Sequence, residues 1–140
     1  MKIIGEIGEA IRAVQATYGI DLQEIELRPE HREEILHVVI HETCHTAISH
    51  AAPWVNALPD TQHTAVDEIA ARVLETEVSE QQSLYAHSVE SHARELTQYG
   101  LSISVDTLRG FFSVWAALPH TTVGIEQLCQ HIHETLFENA

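Results

Sequence analysis

Apolar residues Ile3, Ile7, Ala10, Ile11, Val14 and Tyr18 recur at three- and four-residue spacing, and Gly19 follows. That period predicts an amphipathic helix whose apolar face belongs to a core, with glycine free to take the left-handed capping conformation. From Ile20 to Leu27 the apolar positions keep no single period, and one short strand over Glu24 to Leu27 is the sole β element the pattern supports. Pro29, followed by Glu30, Glu33 and Glu34, marks a helix start, with proline in the first turn and acids near the positive end of the dipole. This helix is expected to run to about His50 and to stop at Ala51-Ala52-Pro53-Trp54. Its middle, Ile35 to His41, is apolar on nearly every side, the pattern of a helix at the centre of a domain.

Val66, Ile69, Ala70, Val73 and Val78 carry the next helix, beginning with Asp60 or Thr61 as N-cap and ending near Ser79. A more polar helix over Leu84 to Tyr99 closes at Gly100. An apolar one over Asp106 to Leu118 stops at Pro119, and a last one spans Ile125 to Phe137. No fixed-period repeat, low-complexity stretch or linker interrupts the chain. The expectation is one mainly α domain over residues 1–140, about six helices around a buried central helix, with at most a very small β element.

A length of 140 residues suits a single core. No stretch approaches the ~20 consecutive apolar residues of a membrane span, and the N-terminus lacks the basic and apolar regions of a secretory signal. A cytoplasmic protein is expected. With 21 acidic and 7 basic side chains the formal charge is −14, which repels a phosphate backbone and argues against nucleic acid as a partner. Cys44 and Cys129 are too few for a disulfide framework and read as free thiols. Eleven histidines, clustered along the chain, turn attention to metals.

The densest chemistry is His41-Glu42-Thr43-Cys44-His45. On a helix, residues four apart share a face, so His41 and His45 can offer two imidazoles to one cation. Catalytic zinc takes three protein ligands, keeps a position for water and lowers that water's pKa to roughly 7. Glu42, adjacent to the first ligand, is placed to act as the general base. A third ligand is expected from Val66-Asp67-Glu68-Ile69-Ala70-Ala71-Arg72, which begins 21 residues after His45.

HExxH followed by an acidic pattern on a second helix resembles the gluzincin branch of zincin metallopeptidases, including its small one-domain members. The resemblance covers little more than these two helices. It implies zinc held by His41, His45 and Glu68, Glu42 as the base, a peptide or protein substrate, and a reduced zincin-like fold. Arg72 stands where the family often has an aspartate that orients a ligand histidine, so that role is empty or passes to another acid such as Asp67 or Glu75. The family's substrate-binding sheet edge has no counterpart beyond the one short strand.

Helical phase leaves the third ligand open. Val66, Ile69, Ala70 and Val73 define an apolar face from which Glu68 points away and beside which Asp67 lies, while His63 and Glu77 fall in the apolar stripe. His37 extends the ladder of His41 and His45 by one turn, in place to supply an additional ligand or a proton relay, though a hydrogen-bonded helix histidine is the commoner role. His50 is expected just past the helix end, against its dipole. Cys44 points roughly 100° from His45 around the helix, which suits a buried structural thiol. His131 and His133 with Cys129 form a patch whose spacing fits no strong zinc pattern, and surface histidines are expected. Phe111, Phe112, Trp115 and Leu118 make a helical stripe that belongs to the core. Tyr85, His87 or His92 would reach a site if their helix crosses it.

Overall fold

The computed structural model describes the backbone of residues 32–81 and 88–138 and the side chains of 40–80 and 88–138. Within those limits the chain is helical, with no residue in a strand. The expected first helix, Ile3 to Tyr18, and the expected strand, Glu24 to Leu27, lie outside the described residues.

Helix α1 spans Arg32–Ala51. Ala52 leaves helical geometry, its N–H still reaching the Ile48 carbonyl at 2.8 Å, and Pro53 then opens a short 3₁₀ turn, Pro53–Ala57. Proline has no N–H to carry a helix onward but starts a new one at no cost. Helix α2, Asp60–Gln81, begins with Asp60 already inside its first turn, because the Pro59 carbonyl accepts from the His63 N–H at 2.8 Å. His50 lies in the last turn of α1 rather than beyond it.

Helix α3, Val89–Leu96, starts five residues later than the apolar pattern suggests. The Ser88 hydroxyl accepts from the Ser91 N–H at 3.1 Å and so fixes the helix start at a side-chain cap. A 3₁₀ turn, Thr97–Tyr99, ends on Gly100 at φ 76°, and Leu101 N–H returns to the Leu96 carbonyl at 3.2 Å. That left-handed closure is the role the glycine was expected to fill. Ser104 caps α4, Val105–Ala117, in the same way as Ser88. Helix α5, Thr122–His133, runs on into a π-helical turn, Glu134–Glu138.

The described residues thus contain five α-helices, in keeping with the mainly α expectation. Helix α2, and not the motif-bearing α1 expected there, holds the central place among the described residues: α1, α5, α4 and α3 all pack on it, α1 most extensively, while Glu42, Thr46, Ser49 and His50 leave one side of α1 exposed. Its fully buried residues run almost round the helix, Ala65, Val66, Ile69, Ala70, Ala71, Val73, Leu74 and Val78. Facing them are Ile40, Cys44, Ala47 and Ile48 of α1, Phe111 and Trp115 of α4, and Ile125, Leu128 and Ile132 of α5. Alanines at the contact let helix axes approach closely, because interaxial distance follows the size of the side chains between them. The aromatic stripe of α4 is core as expected, Phe111 and Trp115 buried, Phe112 and Leu118 packed at its margin.

Polar ties supplement this core. Trp115 Nε1 donates to Glu77 Oε2 at 3.2 Å, and the same oxygen pairs with His120, whose ring stacks on Trp115 at 4.3 Å. Glu77 therefore anchors α4 and the turn after it to α2. No described helix is long and apolar enough to cross a membrane.

Gly124 sits where α5 meets the preceding turn: a β-carbon there would lie 1.6 Å from the Pro119 carbonyl oxygen. Backbone cannot move aside as a flexible side chain does, so Gly124→Ala is expected to destabilise the fold by about 3 kcal/mol. A thermal melt unchanged by this substitution would contradict the packing of α5 on that turn.

Candidate metal centre

Helix α1 returns His41 and His45 to one face, and the close α1–α2 contact sets Glu68 opposite them. His41 Nε2 and His45 Nε2 lie 2.8 Å apart. Glu68 Oε1 is 3.3 Å from His45 Nε2, and Glu68 Oε2 is 3.6 Å from His41 Nε2. One ligand atom from each residue can be chosen so that all lie within 4.8 Å of one another, a group that could hold a metal ion. The three side chains are largely but not wholly covered, from 12% exposed for Glu68 to 18% for His45.

The far side of each ring is fixed by a carboxylate. His41 Nδ1 donates to Glu75 Oε2 at 3.1 Å. His45 Nδ1 lies 2.9 Å from Asp67 Oδ1, within pairing distance though off the line of a good hydrogen bond. With protons at Nδ1, both neutral rings turn their Nε2 lone pairs inward, toward each other and Glu68. Bare lone pairs do not rest face to face at that distance. A proton or a cation between them relieves that repulsion.

Glu68 Oε2 is buried without a hydrogen-bond partner, which costs free energy unless something positive meets it. The donor set therefore suits a divalent transition ion: two imidazole nitrogens and one carboxylate, each ring backed by an acid.

Without an ion, protons take its place. Burial works against a charged His41, but Glu68 and Glu75 outweigh it and push its pKa up to about 9. Burial likewise opposes charge on His45, and Asp67 and Glu68 carry it to about 10. For Glu68, burial would raise the value, yet the two histidines hold it down to about 2.

Other sequence candidates fall elsewhere. Glu42 is exposed on α1, outside the ligand group, and its side chain engages none of the described residues. His63 is partly exposed, its Nε2 3.7 Å from Asp67 Oδ2, and Glu77 is committed to Trp115 and His120. Cys44 is fully buried, which pushes its thiol well above the usual range; burial, with Asp67 and Glu126 nearby, takes Cys129 to about 12. Both are structural thiols. His131 packs edge-on against Phe111, and His133 is half-buried rather than on the surface, its Nε2 2.9 Å from Gln62 Oε1. His92 is buried beside Arg72 and Thr76. The side chains of His37, Tyr85 and His87 lie outside the described residues.

Asp67 and Glu75, the acids expected to orient a ligand histidine in place of a residue at Arg72, each meet one ring at Nδ1, while Arg72 turns to Glu95 and His92 of α3. No family model, curated protein or solved structure matches the chain.

The two raised histidines make a pH prediction. Both folded values exceed the ordinary 6.5, so their ion pairs stabilise the metal-free protein fully below pH 6.5, and this is lost as pH rises through about 9 to 10. The depressed Glu68 contributes stability present above 4.5 and lost as pH falls toward about 2. Metal binding must expel the histidine protons, so near pH 7 about two protons should leave per ion, falling toward none above pH 10. Calorimetry in buffers of different ionisation enthalpy counts them; release of none near pH 7 would mean neutral rings in the free protein.

Proposed function

We propose that the chain is a zinc-dependent hydrolase of the metallopeptidase type, with His41, His45 and Glu68 as the ligands and a peptide or protein as substrate. What supports this reading above all is the pair of Nε2 atoms turned inward by Glu75 and Asp67 onto a carboxylate with an unsatisfied oxygen. Imidazole and carboxylate donors suit zinc, and bound zinc would polarise a carbonyl and bring a water's pKa to roughly 7.

Glu42 is the residue to handle protons. It stands one position on from His41 and is solvent-exposed, so it is free to take a proton from the attacking water and hand it to the leaving amine. Asp67 and Glu75 keep the ligand rings in the right tautomer throughout and make them stronger donors. Neither is free to act as the base while it holds a ring.

One observation favours a second reading, a non-catalytic helical domain that holds metal or binds a protein. Glu42 is held by none of the described side chains, whereas effective general bases are positioned within hydrogen-bond reach of their proton.

Metal content and hydrolysis separate these readings. In the hydrolase, Glu42→Gln retains stoichiometric zinc and loses hydrolysis of a peptide library by at least ~100-fold, while His45→Ala loses both. Zinc bound equally by wild type and Glu42→Gln with no hydrolysis by either would favour the binding domain. Wild-type protein without stoichiometric metal would remove the site altogether.

A further inference from the structure

Arg72 is only 7% exposed, in a helix that packs against all the other described helices. Among the arginines whose side chains are described, Arg94 and Arg109 are exposed, so Arg72 alone brings a permanent charge into the interior. A buried guanidinium carries a desolvation cost of several kcal/mol unless acids surround it. Its surroundings meet that condition. Nη1 donates to Glu95 of α3 and lies 3.4 Å from His92 Nδ1, while Nε sits 3.9 Å from Glu75 Oε1.

Glu75 is the joint. One of its oxygens faces Arg72 and the other accepts from His41 Nδ1. A continuous line of charge therefore runs from Glu95 on α3, through Arg72 and Glu75 on α2, to a metal-ligand histidine on α1. Thr76 braces it, donating to the Arg72 carbonyl at 2.8 Å and lying 3.0 Å from His92 Nε2. His92 must then keep its proton on Nε2 and turn a bare Nδ1 to the guanidinium.

We propose that Arg72 is a positioning residue for the metal site, acting through Glu75 on His41, with Glu95 of α3 holding Arg72 in place. The proposal rests on metal binding at His41, His45 and Glu68. Freed of Arg72, Glu75 would have no cation at its second oxygen while its first holds the His41 ring; turning it toward solvent would release that ring. Removing Glu95 acts on the same ring through two intervening residues, since Arg72 would then lean on Glu75 with only the neutral His92 to hold it on α3.

The test uses the full chain and zinc alone, with affinity read by competition against a chromophoric chelator and geometry by the visible spectrum of the cobalt-substituted protein. Losing an outer partner of a ligand histidine typically weakens metal binding by 10–100-fold. Arg72→Met and Glu95→Gln should each weaken zinc by about tenfold or more and shift the cobalt bands, with Arg72→Lys, which keeps the charge, between them and wild type. In a Glu75→Gln background the same two substitutions should have little further effect, because the joint is already gone. A merely structural role would leave their effect intact in that background, and this outcome overturns the proposal. Unchanged zinc affinity in folded Glu95→Gln overturns it too, and decides the matter if Arg72→Met fails to fold. Zinc binding by wild type that is indifferent to these residues removes this proposal alone; wild type that binds no zinc removes the reading beneath it as well.

Discussion

Two imidazole nitrogens held 2.8 Å apart, each with its other nitrogen tied to a carboxylate, are the constraint around which the α1–α2 interface is arranged. Such a pair is unfavourable bare, and everything near it supplies either the force that brings the rings together or the charge that lets them stay. The force is apolar. Cys44 and Ala47 of α1 are fully buried, as is Ala71 of α2, and small buried side chains let packed helices approach closely, as α1 and α2 do where His41 and His45 meet Glu68.

The charge is harder to balance. Asp67, Glu68 and Glu75 gather three carboxylates at one partly covered interface, and Arg72 is the nearest permanent cation with a described side chain. A unit pair 4 Å apart is worth about 4 kcal/mol at an effective dielectric of 20, so one guanidinium cannot offset three acids. Cationic histidines can make up the difference, and a divalent ion can do so without needing either ring protonated. The site is thus built for a positive occupant, proton or metal, and the two compete for the same atoms.

Much of this was legible in the sequence, for reasons that differ by residue. His41 and His45 could be paired because helical spacing alone sets them on one face, and the glycine and proline signals at Gly100 and Pro53 mark real helix ends since their backbone chemistry is local. Glu68 was harder: judged against the stripe of Val66, Ile69, Ala70 and Val73 it points away from the core. That inference assumes a helix with one buried side, and α2 is packed on nearly all sides, so the side opposite the apolar stripe faces α1. The late start of α3 was missed because a serine cap outweighs apolar period. The pairing of Glu77 with Trp115 spans 38 residues, and no local pattern encodes such a contact.

Arg72 bears on how far a likeness of motif can be carried. In the pattern that HExxH calls to mind, an acid at that position steadies a ligand histidine; here a cation stands there, and the steadying acid is Glu75, a turn further along the same helix. The acid that meets the His41 ring thus lies a turn from Arg72, and Arg72 itself pairs with Glu95 of α3. Asp67 and Glu75 are engaged at Nδ1 atoms, and the ligand group among the described residues ends at His41, His45 and Glu68. Among the described side chains the donor set is two imidazoles and one carboxylate, each ring backed by an acid, which suits a transition ion. The decision between hydrolase and binding domain turns on Glu42, which lies outside that ligand group.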